Sequence, residues 1–169
     1  MLQFFATRRT RKHAIDDIAP FLELSRRRLN GIPDAAFTNP YMIGYLSALI
    51  TLCAKRFMPS IGTSGLALVQ SEAWARMTGL SGDLLGEETC YLSAARHPEF
   101  LDGCHNALKF YQALNGEACE DFAMECALIG NADQVACPFE HAMDVGDLWA
   151  KFFDAHIAKN AAPDWSDRL

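Results

Sequence analysis

The longest apolar segment of the chain covers residues 41–57, YMIGYLSALITLCAKRF, and carries no charge before Lys55. Asn39 can cap a helix here, and Pro40 suits the first turn because the N–H that proline lacks would be unpaired there. Pro59 predicts that the helix ends shortly before it. Apolar residues surround the segment on every side, so it must be buried on every side. We therefore predict an all-α fold around a central helix over residues 41–57.

Small side chains recur at helical spacing along one side of this segment, at Gly44, Ser47, Ala48 and Thr51. Such a stripe would let a neighbouring helix approach closely. Membrane-spanning helices use similar stripes. However, the uncharged run over residues 41–54 has only 14 residues, whereas a span needs about 20. We therefore expect a buried core helix and consider a membrane-embedded protein the less favoured alternative.

The rest of the chain shows further amphipathic helices, because apolar residues recur at three- and four-residue spacing between turn residues. The predicted helices cover residues 15–29, 64–78, 81–94, 98–115, 117–129 and 140–159. Three of these helices are followed by residues that commonly end a helix, which are Asn30-Gly31, Gly79 and Asn115-Gly116. No run alternates as a strand requires. The expected fold class is therefore an irregular or orthogonal bundle of about six to seven helices.

Length and composition favour one domain. A chain of 169 residues, half of them hydrophobic, is sufficient for a single sizeable core. We predict a flexible basic arm over residues 1–12, a single helical domain over residues 13–160 and a loose tail over residues 161–169.

The charges are distributed unevenly along the chain. Residues 1–60 contain nine Lys and Arg against four Asp and Glu, whereas residues 61–169 contain six against seventeen. The two parts could attract each other within one fold, or between copies of the chain. The net charge of −6 argues against general nucleic-acid binding.

The start of the chain, MLQFFATRRTRKH, places apolar residues before basic ones, the reverse of a secretory leader. We therefore expect a cytoplasmic protein whose six cysteines are reduced. These are Cys53, Cys90, Cys104, Cys119, Cys126 and Cys137.

Several cysteine and histidine residues, the residue types that bind zinc, concentrate in the middle third. No C-x-x-C, H-x-x-x-H or E-x-x-H pair occurs. Cys119 and Cys126 would share a helical face but lie about 10 Å apart along the axis. We therefore predict no metal site and no cofactor.

Nucleophilic catalysis finds little support in the sequence. Ser64, in GTSG, does not fit the G-x-S-x-G pattern and follows no predicted strand. Cys104 and His105 are adjacent, so on a helix their side chains point in different directions. No catalytic residue is assigned.

One segment resembles a known family. Residues 71–88, SEAWARMTGLSGDLLGEE, are similar to the part of sensory PAS domains that reads N-x-A-F, then T-G, then E-L-L-G. The resemblance rests on Ala73-Trp74, Thr78-Gly79 and Leu84-Leu85-Gly86, and it covers about a tenth of the chain. It implies two strands before the segment and three after it. The flanking residues predict helices instead, so we do not assign the chain to that family.

The function expected from these patterns is an interaction or regulatory module that self-associates and has no chemistry of its own. Eleven Phe, three Trp and four Tyr are many for a small domain to bury, and large exposed apolar patches tend to be interfaces. We expect a homodimer, with an unidentified protein as a further partner. The predicted dimer surface is formed by helix faces in residues 1–80 or by the last helix around Trp149 and Phe153.

Two alternatives stay open. The chain could be a small-ligand-binding helical protein or a helical enzyme with a pocket in the middle third. The candidate lining residues are Phe100, Cys104, Tyr111, Phe122 and Cys126. Alternatively, residues 1–12 could anchor the protein at a membrane surface, because apolar side chains adjoin basic ones there.

Overall fold

The computed structural model describes residues 2–115 and 144–161, and all regular structure within these ranges is helical. The helices are α1 (Leu2–Arg28), α2 (Asp34–Phe37), α3 (Pro40–Phe57), α4 (Thr63–Thr78), α5 (Gly82–Ala94), α6 (Pro98–Asn115), α7 (Val145–Trp149) and α8 (Ala155–Ala161). A π-helical turn, Ala150–Asp154, joins α7 to α8 and makes them one continuous segment. The predicted all-α bundle of six to seven helices is confirmed.

Helix α3 is the central helix, as predicted. The side chain of Asn39 accepts a hydrogen bond from the backbone N–H of Tyr41 at 2.8 Å, and Pro40 occupies the first turn. Residues on all sides of α3 are buried, and Leu49 and Ile50 are completely inaccessible to solvent. The helix packs against α1, α4, α5 and α6. It therefore forms the core on which the other elements are assembled.

Helices α3 and α6 approach each other closely at two glycines. A Cβ atom added to Gly44 would lie 2.2 Å from the carbonyl oxygen of Phe100. One added to Gly103 would lie 2.1 Å from the carbonyl oxygen of Tyr41. Both distances are far shorter than an ordinary contact, so only glycine fits at either position. The predicted small-residue stripe on α3 thus contacts another helix at Gly44.

Helix α1 begins much earlier than predicted. The sequence placed its start at Ile15, after a flexible arm over residues 1–12, but the helix already starts at Leu2. Thr7 and Thr10 are buried, and Thr10 donates its hydroxyl hydrogen to the carbonyl oxygen of Ala6 at 2.9 Å. This internal hydrogen bond lets a polar side chain lie in the interface. Residues 7–12 therefore belong to helix α1, which contacts the bundle through Thr7 and Thr10.

The remaining boundaries mostly follow the sequence prediction. Ser81 caps α5, and Gly79 ends α4 with a left-handed φ of 80°. The connection between α1 and α3 contains the short helix α2. The predicted helix over residues 117–129 and the predicted beginning of the last helix lie outside the described residues, as does the tail from residue 162.

Two large aromatic side chains of the last helical segment lie inside the bundle. Trp149 and Phe153 are completely buried and belong to an aromatic cluster with Tyr45 and Phe110. Neither side chain is accessible to a second copy of the chain in this structure. They hold the α7–α8 segment against the core instead.

Candidate functional site

Two helices form an open cleft on the surface of the bundle. On α1, Arg8, Arg11, Lys12 and Ile15 are spaced three and four residues apart, so they share one face. Helix α4 packs beside this face. It presents its own side chains at four-residue spacing, which are Leu68, Glu72 and Arg76.

The cleft consists of two adjoining cavities that share Arg8 and Arg11. The smaller has a volume of ≈ 230 Å³ and is lined by Thr7, Arg8, Arg11, Leu68 and Glu72. The larger has a volume of ≈ 570 Å³ and is lined by Arg8, Arg9, Arg11, Lys12, Ile15, Asp16 and Arg76. We call this joined surface the cationic cleft.

The cationic cleft contains more positive charges than its own carboxylates neutralise. Its lining includes five Lys and Arg side chains and two carboxylates. Arg11 forms an ion pair with Glu72 across the two helices, and Lys12 forms one with Asp16 along α1. Three positive charges are therefore in excess. Such exposed pairs stabilise a fold by at most about 1 kcal/mol each, so the charges are more informative about binding than about stability.

Exposed apolar side chains adjoin the cationic cleft. Among the described residues, the large hydrophobic side chains that are exposed are Phe57, Leu68 and Tyr91. Leu68 lines the cleft directly. Phe57 lies beside it, stacked on His13 at 3.9 Å, with the Arg9 guanidinium 5.8 Å from its ring centroid. The cationic cleft is therefore bordered by apolar as well as charged side chains.

No protein-family model, curated protein or solved structure matches this chain.

The residues predicted to line a pocket in the middle third occupy a different place. Phe100, Cys104 and Tyr111 are all buried on α6. The Cys104 thiol donates to the carbonyl oxygen of Gly44 at 3.5 Å, so this face of α6 contacts α3. Neither cavity of the cationic cleft is lined by them. The other two predicted residues, Phe122 and Cys126, lie outside the described residues.

Within residues 2–115 and 144–161, no three His, Cys, Asp or Glu side chains are grouped closely enough to hold a metal ion. In the same part of the chain, no helix is both long and apolar enough to cross a lipid bilayer.

A buried polar network that sequence reasoning missed fastens the last helical segment to α1. The Ser25 hydroxyl accepts a hydrogen bond from the indole N–H of Trp149 at 2.7 Å and donates one to the carboxylate of Asp154. Arg28 reaches the other carboxylate oxygen of Asp154 at 3.3 Å. The Ser25 hydroxyl and both carboxylate oxygens of Asp154 thereby have hydrogen-bond partners in a largely buried place.

A second contact holds the π-helical turn against α3. The Tyr41 hydroxyl donates to the carbonyl oxygen of Phe152 at 2.8 Å and accepts from the Asn106 amide at 3.0 Å. The ring of His156 stacks on Tyr41 with centroids 3.8 Å apart. Burial raises the pKa of Tyr41 to about 12, although the hydrogen bond from Asn106 acts in the opposite direction. Tyr41 therefore stays protonated and keeps its donor role.

His156 is expected to make the protein less stable in mild acid. Burial lowers the pKa of His156 below its ordinary value of 6.5, so the unfolded chain binds this proton more tightly than the folded chain. The stabilising contribution is complete above pH 6.5 and is lost as the pH falls below that value. The variant His156→Phe should keep the ring stack on Tyr41, but its side chain cannot bind a proton. Between about pH 7.5 and 5.5, the melting temperature of the wild type should fall further than that of His156→Phe; parallel losses would contradict this assignment.

The cysteines are expected to differ sharply in reactivity. Cys90 is exposed on α5, whereas Cys53 and Cys104 are buried. Burial, reinforced by the charge of Asp17, raises the pKa of the Cys53 thiol to about 12, and the reactive thiolate is therefore scarce. A short pulse of iodoacetamide on the folded protein, followed by peptide mass mapping, should label Cys90 and leave Cys53 and Cys104 unmodified until denaturant is added. Equal labelling of all three would show that the core around α3 opens readily.

Proposed function

We propose that this chain is a self-associating helical interaction module with no chemistry of its own, and that the cationic cleft is its binding surface. The observation that carries the proposal is the excess of three positive charges within one cleft of a chain whose net charge is −6. A localised cationic surface on an acidic protein favours binding of an acidic partner, and a second copy supplies acidic surface of its own.

The shape of the cationic cleft supports a macromolecular partner. It runs along two adjacent helices, and it combines charged side chains with the exposed apolar side chain of Leu68. A groove of this kind suits a helix whose side chains project at three- and four-residue spacing. The small-ligand alternative in the middle third has less support, because Phe100 and Cys104 lie in the contact between α3 and α6.

Light scattering on a size-exclusion column tests this proposal. The wild type should show a mass clearly above 18.7 kDa that decreases on dilution and with added salt, because salt screens exposed charges. A mass near 18.7 kDa across a hundredfold range of loading would end the proposal.

A pair of matched variants locates the association surface. Arg8→Gln/Arg76→Gln removes two charges from the cationic cleft, whereas Arg27→Gln/Lys151→Gln removes two exposed charges elsewhere. The first should weaken self-association by about tenfold or more, corresponding to about 1.4 kcal/mol. The second should associate like the wild type. Equal weakening in both would show that only the net charge matters.

A further inference from the structure

One face of α5 has the opposite character to the cationic cleft. Asp83, Glu87 and Tyr91 are spaced by four residues, so they form one line along the helix. Glu88 lies beside this line, and all four residues are exposed. Tyr91 has the most exposed of the large hydrophobic side chains described, at 66%. We call these four residues the acidic face of α5.

We propose that the cationic cleft of one copy binds the acidic face of α5 of a second copy. The inference rests on the proposed self-association and names the surface that enters the cleft. Each chain then carries both halves of the contact, so identical copies are sufficient to form it.

The charges of the two surfaces match in number. The cationic cleft has three positive charges in excess of its own carboxylates, and the acidic face presents three carboxylates, from Asp83, Glu87 and Glu88. Contact would pair the charges that each copy leaves unneutralised. Surfaces of opposite charge increase the rate at which two partners meet and fix their relative orientation.

The two surfaces also match in length. Leu68 and Arg76, at opposite ends of the cationic cleft, are eight residues apart on α4, which corresponds to about 12 Å. Asp83 and Tyr91 are also eight residues apart, and therefore also about 12 Å. If α5 lies antiparallel to α4 of the second copy, the Tyr91 ring contacts Leu68 and the carboxylates adjoin the arginines. The two most exposed large hydrophobic side chains described would then cover each other.

A protein helix fits the cationic cleft better than a membrane surface or another polyanion. Asp16 and Glu72 contribute carboxylates to the same lining, and these would repel a dense array of phosphates. An α5 face that carries a few carboxylates and one aromatic ring can place its charges beside the arginines and its ring beside Leu68.

Charge reversal on each surface gives a direct test. The cleft variant is Arg8→Glu/Arg76→Glu, and the face variant is Glu87→Lys/Glu88→Lys. Each variant alone should elute as a monomer at concentrations where the wild type associates. When the two are mixed, the intact acidic face of the cleft variant meets the intact cationic cleft of the face variant. The mixture should therefore recover a complex, and circular dichroism of each variant verifies that both are folded.

The aromatic part of the contact is tested on α5 itself. Tyr91→Ala should weaken the association of otherwise wild-type chains by about tenfold. Ser93→Ala is the matched control, because Ser93 is exposed on the same helix but two residues along, away from the acidic face. Equal affinities of these two variants would overturn the placement of Tyr91 in the contact.

The failure of this inference can be distinguished from the failure of the proposed function. A wild type that stays monomeric ends both. A wild type that self-associates through the cleft while the face variant associates normally overturns the role of α5 and leaves self-association standing. Flotation of the wild type, but not the cleft variant, on phosphatidylserine vesicles, with no complex in the mixture, would identify an anionic membrane as the occupant and overturn the inference.

Discussion

Gly103→Ala is expected to cost about 3 kcal/mol of the free energy of unfolding, towards the upper end of what overpacking a core produces. The added Cβ would lie 2.1 Å from the carbonyl oxygen of Tyr41 and 2.8 Å from the backbone nitrogen of Tyr45. Both are backbone atoms, so neither can rotate away as a side chain could. Helices α3 and α6 must separate, and the close packing along their whole contact is loosened. This loss exceeds the gain of about 1 kcal/mol that alanine offers over glycine in a helix.

Gly86→Ala supplies the matched control for this experiment. Gly86 lies inside α5, and a Cβ there would meet nothing within 4 Å. The same chemical change should therefore leave stability unchanged or raise it by up to about 1 kcal/mol. In thermal unfolding, Gly103→Ala should melt about 10 °C below the wild type, and Gly86→Ala should melt at or above it. Equal melting of Gly103→Ala and the wild type would show that α3 and α6 are not in close backbone contact.

The parts of the fold that could be predicted from sequence are those specified within a few residues. Asn39 and Pro40 act within one turn of the start of α3, and Gly79 ends α4 through its own left-handed backbone. The all-apolar composition of α3 identifies it as central, since no partly exposed position would suit it. These signals do not depend on how the rest of the chain packs.

The beginning of α1 could not be predicted in the same way. Its buried positions there are Thr7, Thr10 and Ala14, which are polar or small, so the usual apolar stripe is absent. The charges at Arg8, Arg9, Arg11 and Lys12 dominate the sequence pattern and suggest a solvated arm. Packing against α3 and α4 decides the outcome, because tertiary contacts supply most of the stability of a helix in a protein.

The candidate site, too, could be predicted only in part from the sequence. The basic residues of α1 were evident, but Arg76 and Leu68 reach the cationic cleft only because α4 packs beside α1. Likewise, the π-helical turn is held by a hydrogen bond between Tyr41 and Phe152, which are 111 residues apart. The segment Ala150–Asp154 contains no proline or glycine that would indicate an irregularity. Such features arise from pairs of distant residues, which a single sequence does not show.

Leu49→Asp is expected to abolish the folded state. Leu49 lies in the middle of α3 with no exposed surface. A carboxylate there would lose its hydration without gaining a hydrogen-bond or ion-pair partner. An uncompensated buried polar or charged group costs several kcal/mol, whereas a whole domain is stable by only about 5–15 kcal/mol. Loss of the leucine contacts adds to this cost. The variant should therefore be unfolded or aggregated at room temperature.

The control for this variant is Leu49→Met, which conserves volume and apolar character and should cost less than about 1.5 kcal/mol. Circular dichroism reports the helices, and tryptophan fluorescence reports the core, because Trp74 and Trp149 are buried. Leu49→Met should retain both signals, and Leu49→Asp should show the spectrum of a disordered or aggregated chain. A soluble Leu49→Asp protein that melts like the wild type would mean that this side of α3 faces water or a partner, and the central position of α3 in the bundle would be wrong.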